Sequence, residues 1–154
     1  MKPLATLAAF LAGTFAAAIP GAFCRPGDWY ANLRRPPFAP PNWVFGPVWT
    51  LLYIAIATAG WLVWRHPQRD RARPLLLLWA VQMTLNALWT VLFFGLHAPG
   101  LALIEIVALL AAIAAFILFA LPLVPLAAAL FVPYLAWVAF ATLLNAAFWR
   151  LNPG

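Results

Sequence analysis

Five runs of about twenty apolar residues constrain this chain more than any other feature of its sequence. In hydrocarbon every backbone N–H and C=O must find its partner inside the segment, so such a run is helical. Crossing a core of roughly 30 Å takes about 20 residues at about 1.5 Å each. The runs are Leu4 to Phe23, Trp43 to Trp64, Leu75 to Leu96, Leu101 to Leu121 and Leu126 to Trp149, and no sixth fits. The chain is 67% hydrophobic and 8% charged, with mean hydropathy +0.96. Soluble domains average roughly 45–50% apolar and about 25% charged, so lipid must solvate most of this surface. The expectation is an all-α, multi-pass integral membrane protein, a five-transmembrane-helix bundle forming one domain over 1–154.

The net charge of +6 does not point to nucleic acid. The basic residues stand at the ends of the apolar runs, at Arg25, Arg34, Arg35, Arg65, Arg69, Arg71 and Arg73, where they meet lipid headgroups. Lys2 and four arginines fall on one side, against Arg25, Arg34, Arg35 and Arg150 on the other, too even a split to orient the bundle. A single cysteine, Cys24, excludes an intrachain disulfide. Lys2 and the run to Ala18 could pass for a signal peptide. A lipoprotein reading fails because bulky Phe23 precedes Cys24.

The loops are unequal. His97–Gly100 and Pro122–Pro125 are so short that the helices they join must be antiparallel neighbours, and Arg65–Pro74 reads as a compact charged turn. Residues 25–42 form the long connection, with five prolines and the pair Trp29-Tyr30. Loops of that length in compact domains are usually functional or disordered. The aromatic pair gives this one something to bury, so it is read as a lid over one end of the bundle.

Polar side chains inside the spans are few, and their spacing is informative. Gln82, Asn86, Trp89 and Phe93 share one face of the third span, and Phe45, Trp49 and Tyr53 one face of the second. Tyr134, Trp137, Ala141, Leu144, Asn145 and Phe148 do so in the fifth. Intramembrane amides face other helices rather than lipid. Such stripes either pack a core or line a pocket for a flat, polarisable guest. Trp29, Trp43, Trp64, Trp79 and Trp149 read as belt or loop residues, whereas Trp49, Trp89 and Trp137 lie deeper. Glu105 is either a functional intramembrane acid or a partner of its helix dipole. The small residues Ala9, Gly13, Ala17 and Gly21 recur every four positions, a groove for packing within the bundle or between two protomers.

Familiar catalytic constellations are missing. There is no serine, the three acids Asp28, Asp70 and Glu105 are scattered, and His66 and His97 stand at span ends without zinc spacing. No catalytic residue, metal ligand or cofactor is therefore assigned. A histidine within a span would suit ligated haem; its absence favours a metal-free ligand.

Two blocks carry a resemblance. One runs from Trp29 through Asn32-Leu33-Arg34-Arg35-Pro36-Pro37 and Pro40-Pro41-Asn42-Trp43 to Gly46-Pro47-Val48-Trp49 and Tyr53. The other runs from Pro133-Tyr134-Leu135-Ala136-Trp137 through Asn145 to Trp149-Arg150-Leu151-Asn152, with Leu85-Asn86-Ala87-Leu88-Trp89 and Phe93-Phe94-Gly95 between them. Together they resemble the tryptophan-rich sensory protein/translocator protein family (TspO/MBR, peripheral-type benzodiazepine receptors), in a bacterial-type member. The resemblance implies a retained first helix, a homodimer, and a receptor or sensor that binds porphyrins such as protoporphyrin IX and benzodiazepine-type ligands. By motif, Trp49, Tyr53, Asn86, Trp89, Trp137, Ala141 and Leu144 would line the site, and Trp29, Tyr30 and Leu33 would close it. Phe45 joins them from its stripe. Ala141 matches a position where threonine perturbs ligand handling in the family. The propionates of a porphyrin would lie near Arg34 or Arg35, which could equally be headgroup anchors. Two alternatives are a transporter of porphyrins or other lipophiles and a light- and oxygen-dependent porphyrin-degrading enzyme. Phe38 replaces a common tryptophan. Ala146 and Ala147 stand where the vertebrate sterol motif needs tyrosine, so sterol binding is not expected.

Overall fold

The computed structural model describes residues 3–24 and 26–153. Lys2, counted in the charge split, and Arg25, read as an anchor, lie outside the described residues. The described residues form helices and no strand. They are α1 (Pro3–Ala16), α2 (Ile19–Phe23), α3 (Asp28–Asn32), α4 (Phe45–Trp64), α5 (Arg69–Thr90), α6 (Pro99–Ala120) and α7 (Pro125–Leu151). A 3-10 turn at Asn42–Val44 leads into α4, and a π-turn at Val91–Gly95 ends α5. Five stretches are long and apolar enough to cross a membrane, the first made of α1 and α2 together. The chain is thus an integral, multi-pass membrane protein.

The first span is broken where a single helix was expected. Pro20 has no N–H to give and its ring crowds the carbonyl one turn back. The chain tightens there, with Ala17 N donating to Thr14 O at 3.1 Å and Ala18 N to Phe15 O at 3.0 Å, before restarting as α2. The charged turn is also shorter than expected, because α5 begins at Arg69 and keeps Pro74 inside it. At the sixth residue Pro74 gives up only one intrahelical bond, and Asp70 in the first turn suits the positive end of the helix. Arg69 donates to Trp64 O at 2.6 Å and lies over the Trp64 ring, so it closes α4 as well as facing headgroups.

Around the bundle the spans run α1, α4, α7, α6, α5, with α2 packed on the far end of α5. Both short loops join spans that pack along their length, α5 with α6 and α6 with α7. The main core lies toward the end away from the lid, where Phe116 stacks on Phe131 at 3.9 Å beside Ile56, Val63 and Ile113. A second cluster of Tyr30, Phe93, Ala102, Leu144 and Phe148 sits beneath the lid. Leu51, Ile104, Leu118, Phe119 and Leu143 point outward, as a lipid-facing surface requires. α1 is the least embedded span: Ala9 and Gly13 stay exposed, and Gly13 only approaches Trp79. Trp79, read as a belt residue, is a seam residue instead: its Nε1 donates to Ile56 O at 2.9 Å and its ring meets Phe10 edge-on.

Candidate ligand cavity

Between the two clusters lies a cavity of about 390 Å3. Its walls follow from helical period. Phe45, Trp49 and Tyr53 come from the inner face of α4, Asn86 and Trp89 from α5, and Trp137 and Ala141 from α7. Tyr30 of α3 closes the top. The rings meet edge-on or tilted: Phe45 and Trp137 at 5.7 Å, Trp49 and Tyr53 at 5.4 Å, Trp49 and Tyr134 at 6.2 Å. Among the described residues, no charged side chain lines the space.

The polar groups are nearly all committed. Tyr53 OH donates to Asn86 Oδ1 at 3.0 Å, and Asn86 Nδ2 donates to Tyr134 OH at 3.2 Å, so one amide bridges two helices. Trp89 Nε1 donates to Asn145 Oδ1 at 2.9 Å, and Asn145 Nδ2 donates to Pro99 O at 2.8 Å. Trp137 differs. Its Nε1 is buried and has no acceptor among the described residues. An unpaired N–H in such surroundings costs about 1–3 kcal/mol, a deficit that a guest bearing an acceptor would remove.

Three fastenings hold the lid. Asn152 near the C-terminus accepts from Arg34 N at 2.8 Å through Oδ1 and donates to Arg34 O at 3.1 Å through Nδ2, as a neighbouring strand would. Trp29 lies flat on His97 at 4.3 Å. Tyr30, 9% exposed, packs among Phe93, Phe94 and Phe148. Burial pushes the Tyr30 hydroxyl pKa up, and the Arg35 guanidinium 5.7 Å over its ring opposes this in part. Arg35 also donates to Asn42 Oδ1 and Pro40 O, both at 3.1 Å, tying the loop to the entrance of α4.

Of the residues singled out from sequence, Tyr30, Phe45, Trp49, Tyr53, Asn86, Trp89, Trp137 and Ala141 come together around this cavity. Three do not. Trp29 and Leu33 face a separate outer cavity, and Leu144 is packed under the lid. Leu144 shares the Trp137 face but stands seven residues on, about 10 Å along the axis, where Tyr30 and Phe148 already fill the space. The sequence reading missed Ala18 and Gly21 at the broken first span, Asn42 and Gly46 at the α4 entrance, and Ile106 and Leu109 of α6. The small-residue spacing pointed to Gly21; nothing in the uniformly aliphatic α6 separates a cavity residue from a core one. Glu105 lies off the cavity, 8% exposed, with both carboxylate oxygens unpartnered among the described residues. It is the seventh residue of α6, beyond the first turn where a helix dipole would favour it.

Comparison with known proteins gives a consistent result. Residues 4–150 match the model of the TspO/MBR family. The chain is 42% identical over 128 residues to the translocator protein of Homo sapiens, spanning 82% of this chain and 76% of that one. It is 36% identical over 152 residues to protein CrtK of Rhodobacter capsulatus, 98% and 95% of the two chains. With the tryptophan-rich sensory protein of Cereibacter sphaeroides the identity is 38% over 143 residues, 93% and 89%.

Proposed function

Because this chain belongs to the TspO/MBR family, we propose that its inner cavity is a receptor site for porphyrins of the protoporphyrin IX type and for benzodiazepine-type ligands. The observation that carries the reading is the Trp137 N–H, unpaired among the described residues, in an aromatic cavity that none of them lines with charge. A flat macrocycle gains dispersion and edge contacts from Trp49, Phe45 and Trp137, and one of its acceptors takes the free N–H. Its carboxylates stay outside. Arg35 is the cation placed for them, since it already bonds Asn42 and covers Tyr30, both at the cavity wall.

The test is a protoporphyrin titration of the purified protein in detergent, followed by tryptophan fluorescence. Quenching should saturate. Trp137→Phe removes one hydrogen bond, worth about 0.5–1.5 kcal/mol net, and should weaken binding roughly 2- to 12-fold. Ala141→Thr, which adds bulk to the same wall, should weaken it too. Linear quenching indifferent to both changes would mean that porphyrin only dissolves in the micelle.

A second reading is transport, favoured by the wall at Ala18 and Gly21, small residues at the break in the first span and in the five-residue α2. Protoporphyrin flux into vesicles that depends on the protein would support it. A pigment that binds saturably but never crosses would leave the receptor alone standing.

A further inference from the structure

A second cavity, of about 340 Å3, lies between α3, the loop from α5 to α6, and the C-terminal end of α7. Two consecutive residues of α3 divide the two spaces: Tyr30 faces the inner one, while Trp29 faces the outer, joined by Leu33. One turn of helix is therefore a wall common to both.

The outer wall has its own chemistry. The Trp29 indole and the His97 imidazole lie 4.3 Å apart and within 14° of parallel. His97 has φ 51°, the one left-handed non-glycine residue among those described, a conformation that recurs at ligand clamps. Opposite, a Cβ on Gly100 would stand 3.0 Å from Trp149 Nε1, so glycine is what lets that indole edge reach the wall. Two rings that carry N–H groups, His97 and Trp149, thus line a space to which no acidic side chain among the described residues contributes. The remaining polar side chain, Asn152, has its amide committed to Arg34 and to Phe148 O.

We propose that the outer cavity is a second ligand site, for a small aromatic carboxylate, and that its occupancy holds the lid shut. A flat ring extends the Trp29–His97 stack, and its carboxylate accepts from the Trp149 indole N–H. The occupant touches two of the three lid fastenings, the ring stack and Asn152, which are together only while the lid is closed. A ligand that binds one state alone shifts the equilibrium toward it. The site does not depend on what the inner cavity binds.

2-Naphthoate is the probe, added to the 15N-labelled full chain in lipid nanodiscs. Among the nine indole N–H signals, those of Trp29 and Trp149 should shift saturably while those of Trp49 and Trp137 stay. Trp149→Phe and His97→Ala should each weaken binding about tenfold, and uncharged 2-methylnaphthalene should bind at least tenfold more weakly. Hydrogen exchange of amides 28–33 should slow several-fold at saturation. Shifts that rise linearly with concentration, or saturable shifts confined to Trp49 and Trp137, overturn the site. Saturable outer shifts with unchanged exchange overturn the control of the lid. Both measurements read without porphyrin, so failure of the inner-cavity reading is seen separately.

Discussion

At the scale of single residues, the bridge from Tyr53 through Asn86 to Tyr134 is where the cavity and the stability of the bundle meet. Asn86→Leu leaves two buried hydroxyls without their partner, at about 1–3 kcal/mol each. It should cost the bundle roughly 2–6 kcal/mol, read as a lowered thermal midpoint in detergent. If the loss persists in a background where Tyr53 and Tyr134 are already phenylalanine, the bridge is not its source. Tyr30 gives a pH prediction. Its raised pKa means that the folded lid holds the phenolic proton more tightly than the unfolded chain does. The stabilisation is complete below the ordinary value of 10.0 and is lost as pH rises through the folded pKa. Amides 28–33 should therefore exchange at a rate that, after correction for intrinsic chemistry, stays level to about pH 10 and climbs beyond it. In Tyr30→Phe that climb should vanish. A wild-type climb beginning near neutrality would point to another group.

At the scale of elements, two contacts decide how the pieces hold together. Asn152→Ala removes the pair of bonds that ties Arg34 to the end of α7. The bonds are exposed, so the expected loss is about 1 kcal/mol or less, seen as several-fold faster exchange in the lid and an unchanged rate in α6. Gly60 lies where α1 crosses α4. A Cβ there would stand 2.6 Å from Trp79 Nε1 and 2.8 Å from Phe10. Gly60→Ala must push α1 outward or break the bond from Trp79 to Ile56 O, a change of about 1–3 kcal/mol. Thermal unfolding of the variant should show that loss; an unchanged midpoint would mean that α1 yields freely.

This scale also separates what the sequence makes legible from what it hides. The five spans are legible because length and apolarity alone dictate a crossing helix. The stripes through Trp49, Asn86 and Trp137 are legible because a buried amide or aromatic repeats with the helical period. The start of α5 at Arg69 is hidden, since its charged first turn looks like loop by hydropathy. The π-turn at Val91–Gly95 is hidden too: its extra residue brings Phe93 and Phe94 together under Tyr30, and that depends on the lid rather than on local composition. Trp29 and Tyr30 are adjacent in a five-residue helix, too short for any period to reveal that they face different spaces.

At the scale of the whole molecule, the spans share the burden unevenly. Only 11% of the most apolar window of the first span is buried, against 39% for the second. The first should be the earliest to exchange and the last to be needed, with α4, α6 and α7 forming the slow-exchanging body. Uniform protection across all five would contradict this. The uncharged lining of the inner cavity has an electrical meaning as well. A transmembrane voltage does work only on charge, about 2.3 kcal/mol per elementary charge per 100 mV, and the described residues in the walls of that space offer it none. A neutral guest seated there is invisible to the field, so its occupancy stays where it was when the cell polarises or discharges its membrane; a porphyrin would feel the field only through the carboxylates left outside.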